Sequence, residues 1–286
     1  MSKLAAFAAV VAALGLPAGL AQGRGTAPST SSCPTVTAGK LTVGTDNPAY
    51  PPWFQGNPAK GSSWKVSDPN SGKGYESAVA YAVAAKLGFS KANVRWIYVP
   101  FDKSYAPGKK PFDFDINQIS YTPARAKVVD FSNSYYDVNQ AVVVLKGSKI
   151  AAVHSVAGLR GFRLGAQIGT TSYDTIVHRI KPASQPKVYD TNDKAVFALR
   201  HKLIDALVVD LPTAFYVTAA QVPNSTILGQ FPNVGKTPEH FGMTFQRGNP
   251  LVGCVNKALA TLKANGTLKK IQQTWLSKVV GVPVLK

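Results

Sequence analysis

From residue 41 onward, short apolar runs alternate with longer stretches in which apolar residues recur every three or four positions. "KLTVGTD" (40–46) reads as a strand ending in a polar turn, and "VRWIYVPF" (94–101) and "FDFDINQIS" (112–120) read as the next two. Between the first two, "GYESAVAYAVAAKLGF" (74–89) sets alanines, Val79, Val83 and Leu87 on one helical face, and Gly88 marks its end. "QAVVVLKG" (140–147) is a continuous apolar run, as in a strand buried on both faces or crossing between domains. "FRLGAQIG", "VYD" and "DALVVD" repeat the strand pattern, with helices predicted at 172–180 and 192–200. The region 250–278 predicts two helices divided at "ANG", and no internal repeat is present. This alternation predicts an α/β protein.

Three polar features fall where such folds bind ligands, outside the carboxyl ends of strands. In "YTPARAKVVDFS" (121–132), Thr122 is suited to cap a helix and Pro123 to occupy its first position, which puts Arg125 in the first turn. A cation is mildly unfavourable there unless an anion is held at the same point. The competing reading is a surface arginine on a short helix, paired with Asp130 or simply solvated. Thr170 and Thr171 follow the strand 162–169 and open a helix; Asp210 ends the strand 205–210. Each suits a helix cap when taken singly. Together, one cation, a hydroxyl pair and a carboxylate suit an α-amino acid, with Arg125 and Thr171 on its carboxylate and Asp210 on its ammonium.

Composition bounds the rest. The 286 residues are 45% apolar and 16% charged, the profile of a folded chain with room for one large domain or two lobes. Lys3 precedes the apolar run 4–20, and "GLA" at 19–21 offers small residues for cleavage, so residues 1–21 read as an export signal and 22–35 as a flexible lead-in. Cys33 and Cys254 are the only cysteines. In an exported chain a disulfide is favoured over lipidation of Cys33, because "TSS" precedes it in place of the end of the apolar run. Closing so long a loop would stabilise by about 4 to 5 kcal/mol in the chain-entropy view. The net charge of +18 is scattered, with no run longer than "KK", which predicts a solvated surface and no nucleic-acid binding. His154, His178, His201 and His240 form no metal-ligand pair, and no G-x-S-x-G elbow occurs.

The order of motifs resembles the bacterial family 3 extracellular solute-binding proteins, which serve ABC importers of polar amino acids. The blocks carrying the resemblance are "LTVGTDNPAYPPW", "GYESAVAYAVAAKLG", "TPARAKVVDFSNSYYDVNQAVVV", "GAQIGTTSYD", "ALVVDLPTAFY", "HFGMTFQRGNP" and "VNKALATLKANGTLKKIQQTWL". The resemblance implies a two-lobed type II periplasmic-binding-protein fold joined by two crossing strands. Lobe one would span 36–138 and 240–286, and lobe two 139–239. Both cysteine neighbourhoods then fall in lobe one. The resemblance assigns Arg125, Thr170 and Thr171 to the ligand carboxylate and Asp210 to its amino group. Ser120 becomes a further contact, and Asp46, Tyr50 and Trp53 meet the side chain. Gln118 stands where the family commonly has small residues, and "VPFDKSYAPGKKPFDFDINQ" replaces a Leu-Ile-Pro-containing helix. Asp46 and Asp174 hint at a cationic ligand.

The implied protein is an exported monomer that needs no cofactor, carries an amino acid to an ABC permease and catalyses nothing. The alternative is a dehydratase on the same scaffold acting on a prephenate-like acid, with Asp46 or Glu239 as acid or base.

Overall fold

The computed structural model describes residues 33–232, 238–276 and 281–286. The expected export signal and most of the lead-in lie outside the described residues. Among those described, no helix is long and apolar enough to cross a membrane.

The chain begins with β1 (Leu41–Thr45), α1 (Tyr75–Lys86), β2 (Val94–Tyr98), α2 (Phe101–Ser104), β3 (Phe114–Asp115), β4 (Val129–Phe131) and β5 (Tyr136–Asp137). It continues through β6 (Gln140–Leu145), β7 (Leu164–Gln167), α3 (Thr171–Asp174), β8 (Lys187–Tyr189), α4 (Asn192–Arg200), β9 (Ala206–Asp210) and α5 (Leu211–Tyr216). It closes with β10 (Ser225–Gln230), β11 (His240–Phe241), β12 (Thr244–Gln246), α6 (Leu251–Ala264) and α7 (Thr267–Leu276).

Two five-stranded sheets result, in the orders β2-β1-β3-β12-β4 and β10-β6-β9-β7-β8. In the first, β1 runs parallel to β2 and β3, and β12 lies antiparallel between β3 and β4. In the second, β7 pairs parallel with β8 and β9, while β6 lies antiparallel between β9 and β10. The chain passes between them on β5 and β11, which pair antiparallel with each other. The fold is therefore the two-lobed α/β arrangement expected.

Each sheet builds its own core. Leu41, Val43, Phe114 and Phe245 pack with α1, α6 and α7 in one cluster. The second sheet is buried on both faces: Ala141, Val143, Leu207 and Val209 point into one cluster, and Val142, Val144, Ala206 and Val208 into the other. That two-sided burial is why 140–145 and 206–210 read as unbroken apolar runs. Cys33 and Cys254 form a disulfide that fastens the segment before β1 to α6.

The strand expected over 112–120 is only two residues long. The chain leaves the sheet after Asp115, and Asn117 to Ser120 turn toward the other lobe. The helix expected over 172–180 begins as α3 and continues over 175–180 in wider turns.

Candidate functional site

A cavity of about 170 Å³ lies between the two sheets. The loop after β1, the Asn117–Ser120 stretch and Arg125 form one wall; the start of α3, the start of α4 and the end of β9 form the other. This is well below the roughly 300 Å³ from which drug-sized pockets begin, and suits a small solute.

Arg125 is only 9% exposed. Thr122 Oγ1 accepts from its backbone N–H at 3.2 Å, and in place of a full helix there is a short 3-10 turn at Arg125–Lys127 whose N-cap position is Ala124. The guanidinium lies 4.2 Å from the centre of the Tyr105 ring and 5.7 Å from that of Phe101. Its Nη1 donates to Ser120 O at 2.6 Å and its Nη2 to Gly169 O at 2.7 Å. No described carboxylate pairs with it, and Asp130 instead accepts from the backbone N–H of Gly248, so the pairing of Arg125 with Asp130 does not occur. Burial disfavours the charge, which Tyr105 and the more distant carboxylates of Asp174 and Glu239 only partly offset. Gly169 has φ +72° and an added Cβ would stand 2.6 Å from Tyr105 Oη, so only glycine lets the two lobes meet there.

The two threonines divide their work. Thr170 Oγ1 accepts from Tyr173 N–H and donates to Gln167 O, which makes it the cap of α3. Thr171 Oγ1 instead stands 3.2 Å from Ser120 Oγ and 3.3 Å from Gln140 Nε2. Ser120 Oγ donates to Glu239 Oε1 at 2.7 Å.

Asp210 makes no capping bond to α5. Its Oδ1 accepts from Gln140 Nε2 at 2.8 Å, and the same amide nitrogen lies 3.0 Å from Glu239 Oε1. Burial, reinforced by Glu239, pushes the Asp210 carboxyl up to about 8. Asp46 is raised too, first by burial and then by Asp102 and Asp193.

The remaining expected residues separate. Tyr50 lines the cavity, and its hydroxyl donates to Asp193 across the mouth. Gln118 lines it as well, in a left-handed conformation at φ 48°. Trp53 does not line it. The indole is 2% exposed and packs edge-on against Tyr75, Tyr136 and Phe241, with only its N–H reaching Thr213 Oγ1 at 3.2 Å. Its assignment to the ligand side chain is corrected to the core. Asp174 is also outside this cavity, on a separate hollow with His178 and Arg179.

Residues 41–278 match the family described as bacterial extracellular solute-binding proteins, family 3. The chain belongs to that family. It is 28% identical over 247 residues to an arginine-binding periplasmic protein of Mannheimia haemolytica, a match covering 84% of this chain and 93% of the relative. Among solved structures, an ancestral arginine-binding protein bound to glutamine superposes with a TM-score of 0.65 at 29% identity, covering 84% of this chain and 98% of the other. An ancestral amino acid-binding protein, described as a precursor of cyclohexadienyl dehydratase, superposes with a TM-score of 0.64 at 26% identity, covering 83% and 96%.

For this family member, several site residues carry no signal that a sequence reading can isolate. Gln140 begins an apolar run and is its only polar residue, which is a faint mark. Asn117, Asp193 and Tyr105 carry none, because their position depends on how the lobes meet.

Proposed function

We propose that the protein is an exported receptor that captures a cationic L-amino acid by lobe closure and delivers it to an ABC permease. The observation that carries this reading is the charge of the cavity. Although the chain as a whole carries +18, the cavity is lined by three carboxylates, Asp46, Asp193 and Asp210, and by one cation, Arg125. An α-carboxylate on Arg125 and an α-ammonium on Asp210 leave Asp46 and Asp193 facing the ligand side chain, where a positive head group would offset them. The arginine-binding relatives support the same ligand class.

The dehydratase reading fits less well. A prephenate-like acid brings two carboxylates, and only one would find a cation; the three relatives named above are binding proteins. The receptor is proposed to work as a monomer, without cofactor and without nucleic acid.

The expected lobe boundaries, 36–138 with 240–286 and 139–239, stand as a proposal with one amendment. Residues 281–286 belong with lobe two, because Leu285 is buried in the second sheet's core and its N–H donates to Gln230 O.

The test is calorimetric titration of the mature protein, refolded after denaturation to remove carried solute, with L-arginine, L-lysine, L-histidine, L-glutamine and L-glutamate. Micromolar binding of the cationic members is expected, and its loss in Arg125→Ala, since two charge-assisted hydrogen bonds are worth about 3 to 6 kcal/mol together. Binding confined to glutamate would overturn the ligand class. Retained affinity in Arg125→Ala would overturn the arginine's role.

A further inference from the structure

Glu76 is fully buried beneath the cavity without lining it. It sits in the first turn of α1, where the positive end of the helix favours its charge. The same turn holds the loop that carries Asp46 and Tyr50: the N–H groups of Tyr75 and Glu76 donate to Pro52 O and Trp53 O. Gly74, which begins the turn, could bear no Cβ, as one would stand 2.5 Å from Phe54 Cα.

Three donors converge on the Glu76 carboxylate. Gln118 gives both its backbone N–H, at 2.7 Å, and its side-chain Nε2; the hydroxyl of Tyr135 gives the third. Burial pushes the Glu76 carboxyl up to about 7 and these three donors pull the other way; three donors and no described acceptor are the set that favours the ionised form. Gln118 is the residue in the left-handed conformation, an uncommon state for a side chain other than glycine, asparagine or aspartate. Its neighbours Asn117 and Ser120 line the cavity with it. Tyr135 lies next to β5, where the chain crosses between lobes, and its carbonyl accepts from Tyr75 Oη at 2.6 Å.

We infer that Glu76 is a positioning residue for ligand capture: its carboxylate clamps Gln118 in the left-handed state and thereby sets the Asn117–Ser120 wall that faces the ligand. This rests on the receptor reading. Glu76 acts through Gln118 and never touches the solute. Glutamate is set apart from glutamine here, since an amide would turn one acceptor oxygen into a donor facing the Gln118 amide nitrogen, and the pairing is restored only by flipping the Gln118 amide that lines the cavity.

The experiment is titration with L-arginine and L-glutamine, well below the melting temperature, of wild type, Glu76→Gln, Gln118→Gly and the double variant. Glu76→Gln should weaken binding at least tenfold. In the Gln118→Gly background, where the left-handed state is free and the amide is gone, the same change should shift affinity less than twofold. An equal loss in both backgrounds would mean Glu76 serves only the fold, and would overturn the inference. So would wild-type affinity in Glu76→Gln. If Glu76→Gln fails to fold, Tyr135→Phe removes one donor away from the cavity: a loss of about threefold or more supports the clamp, and an unchanged Kd overturns it. A wild type that binds neither amino acid overturns the receptor reading and this one with it, a result distinct from an active wild type with indifferent variants.

Discussion

The Tyr50 hydroxyl and the Asp193 carboxylate are 143 residues apart in sequence and 2.8 Å apart in space, joining the two lobes at the exposed mouth of the cleft. The Tyr50 ring also rests against Tyr216, with centroids 5.7 Å apart. A bond between residues on opposite sides of the cleft breaks when the lobes part, and we expect it to act as a latch on the closed state. Because it is exposed, it is worth about 1 kcal/mol rather than the full value of a charged hydrogen bond. Tyr50→Phe keeps the ring contact and removes the latch. Stopped-flow measurement should show ligand release about fivefold faster, with association within about twofold. A slowed association with unchanged release would place Tyr50 in capture instead.

Binding should depend on pH through Asp210. Its carboxyl is pushed up to about 8 in the free protein, so at pH 6 to 7 it carries a proton that a ligand ammonium must displace. Pairing favours the ionised form, and binding therefore releases a proton. Affinity falls as pH drops through about 8, by up to about tenfold per unit. Titrations at pH 7 in buffers of different ionisation heat should reveal the released proton. The same experiment on Asp210→Asn should show none, and release that persists there would shift the assignment to another group.

Asp115 should make stability fall with rising pH. It is buried on β3 with neither oxygen hydrogen-bonded among the described residues, and burial, Glu76 and Asp46 raise its carboxyl well above the usual range against the pull of Lys110. A raised folded value means that its stabilising, protonated form is fully present below the ordinary carboxylate range and is lost as pH climbs through the folded value. Asp115→Asn removes that loss. Its melting temperature should exceed that of the wild type at pH 8 and approach or fall below it at pH 4.5. An equal difference at both pH values would show that Asp115 does not titrate in this way.

The last residues should stabilise the second lobe. Leu285 is 3% exposed, its N–H donates to Gln230 O, and Gln230 N–H donates to Pro283 O. Gly229 makes room, since a Cβ there would stand 2.8 Å from Leu285. Leu285→Ala should cost about 2 to 5 kcal/mol in denaturant unfolding. A cost below about 0.5 kcal/mol, the scale of an ordinary surface change, would mean that the tail does not stay docked.

What the sequence determined is what local periodicity encodes. The apolar spacing of 75–86 and 192–200 dictates α1 and α4, and the unbroken runs at 140–145 and 206–210 dictate strands buried on two faces, because the pattern of burial repeats with the backbone's own period. The arginine at 125 stood out for a related reason: a cation beside helix-like N–H groups is locally unfavourable and invites an explanation. Tertiary structure decided the rest. β5 and β11 are two residues each and exist only because they pair with each other. Thr170 and Thr171 are the same residue type side by side, yet one caps a helix while the other meets Ser120, a distinction set by the direction each side chain takes. Gln140 reaches Asp210 over 70 residues, and Ser120 reaches Glu239 over 119. Such contacts leave no period in the chain, since the partners meet only after both lobes have folded and closed.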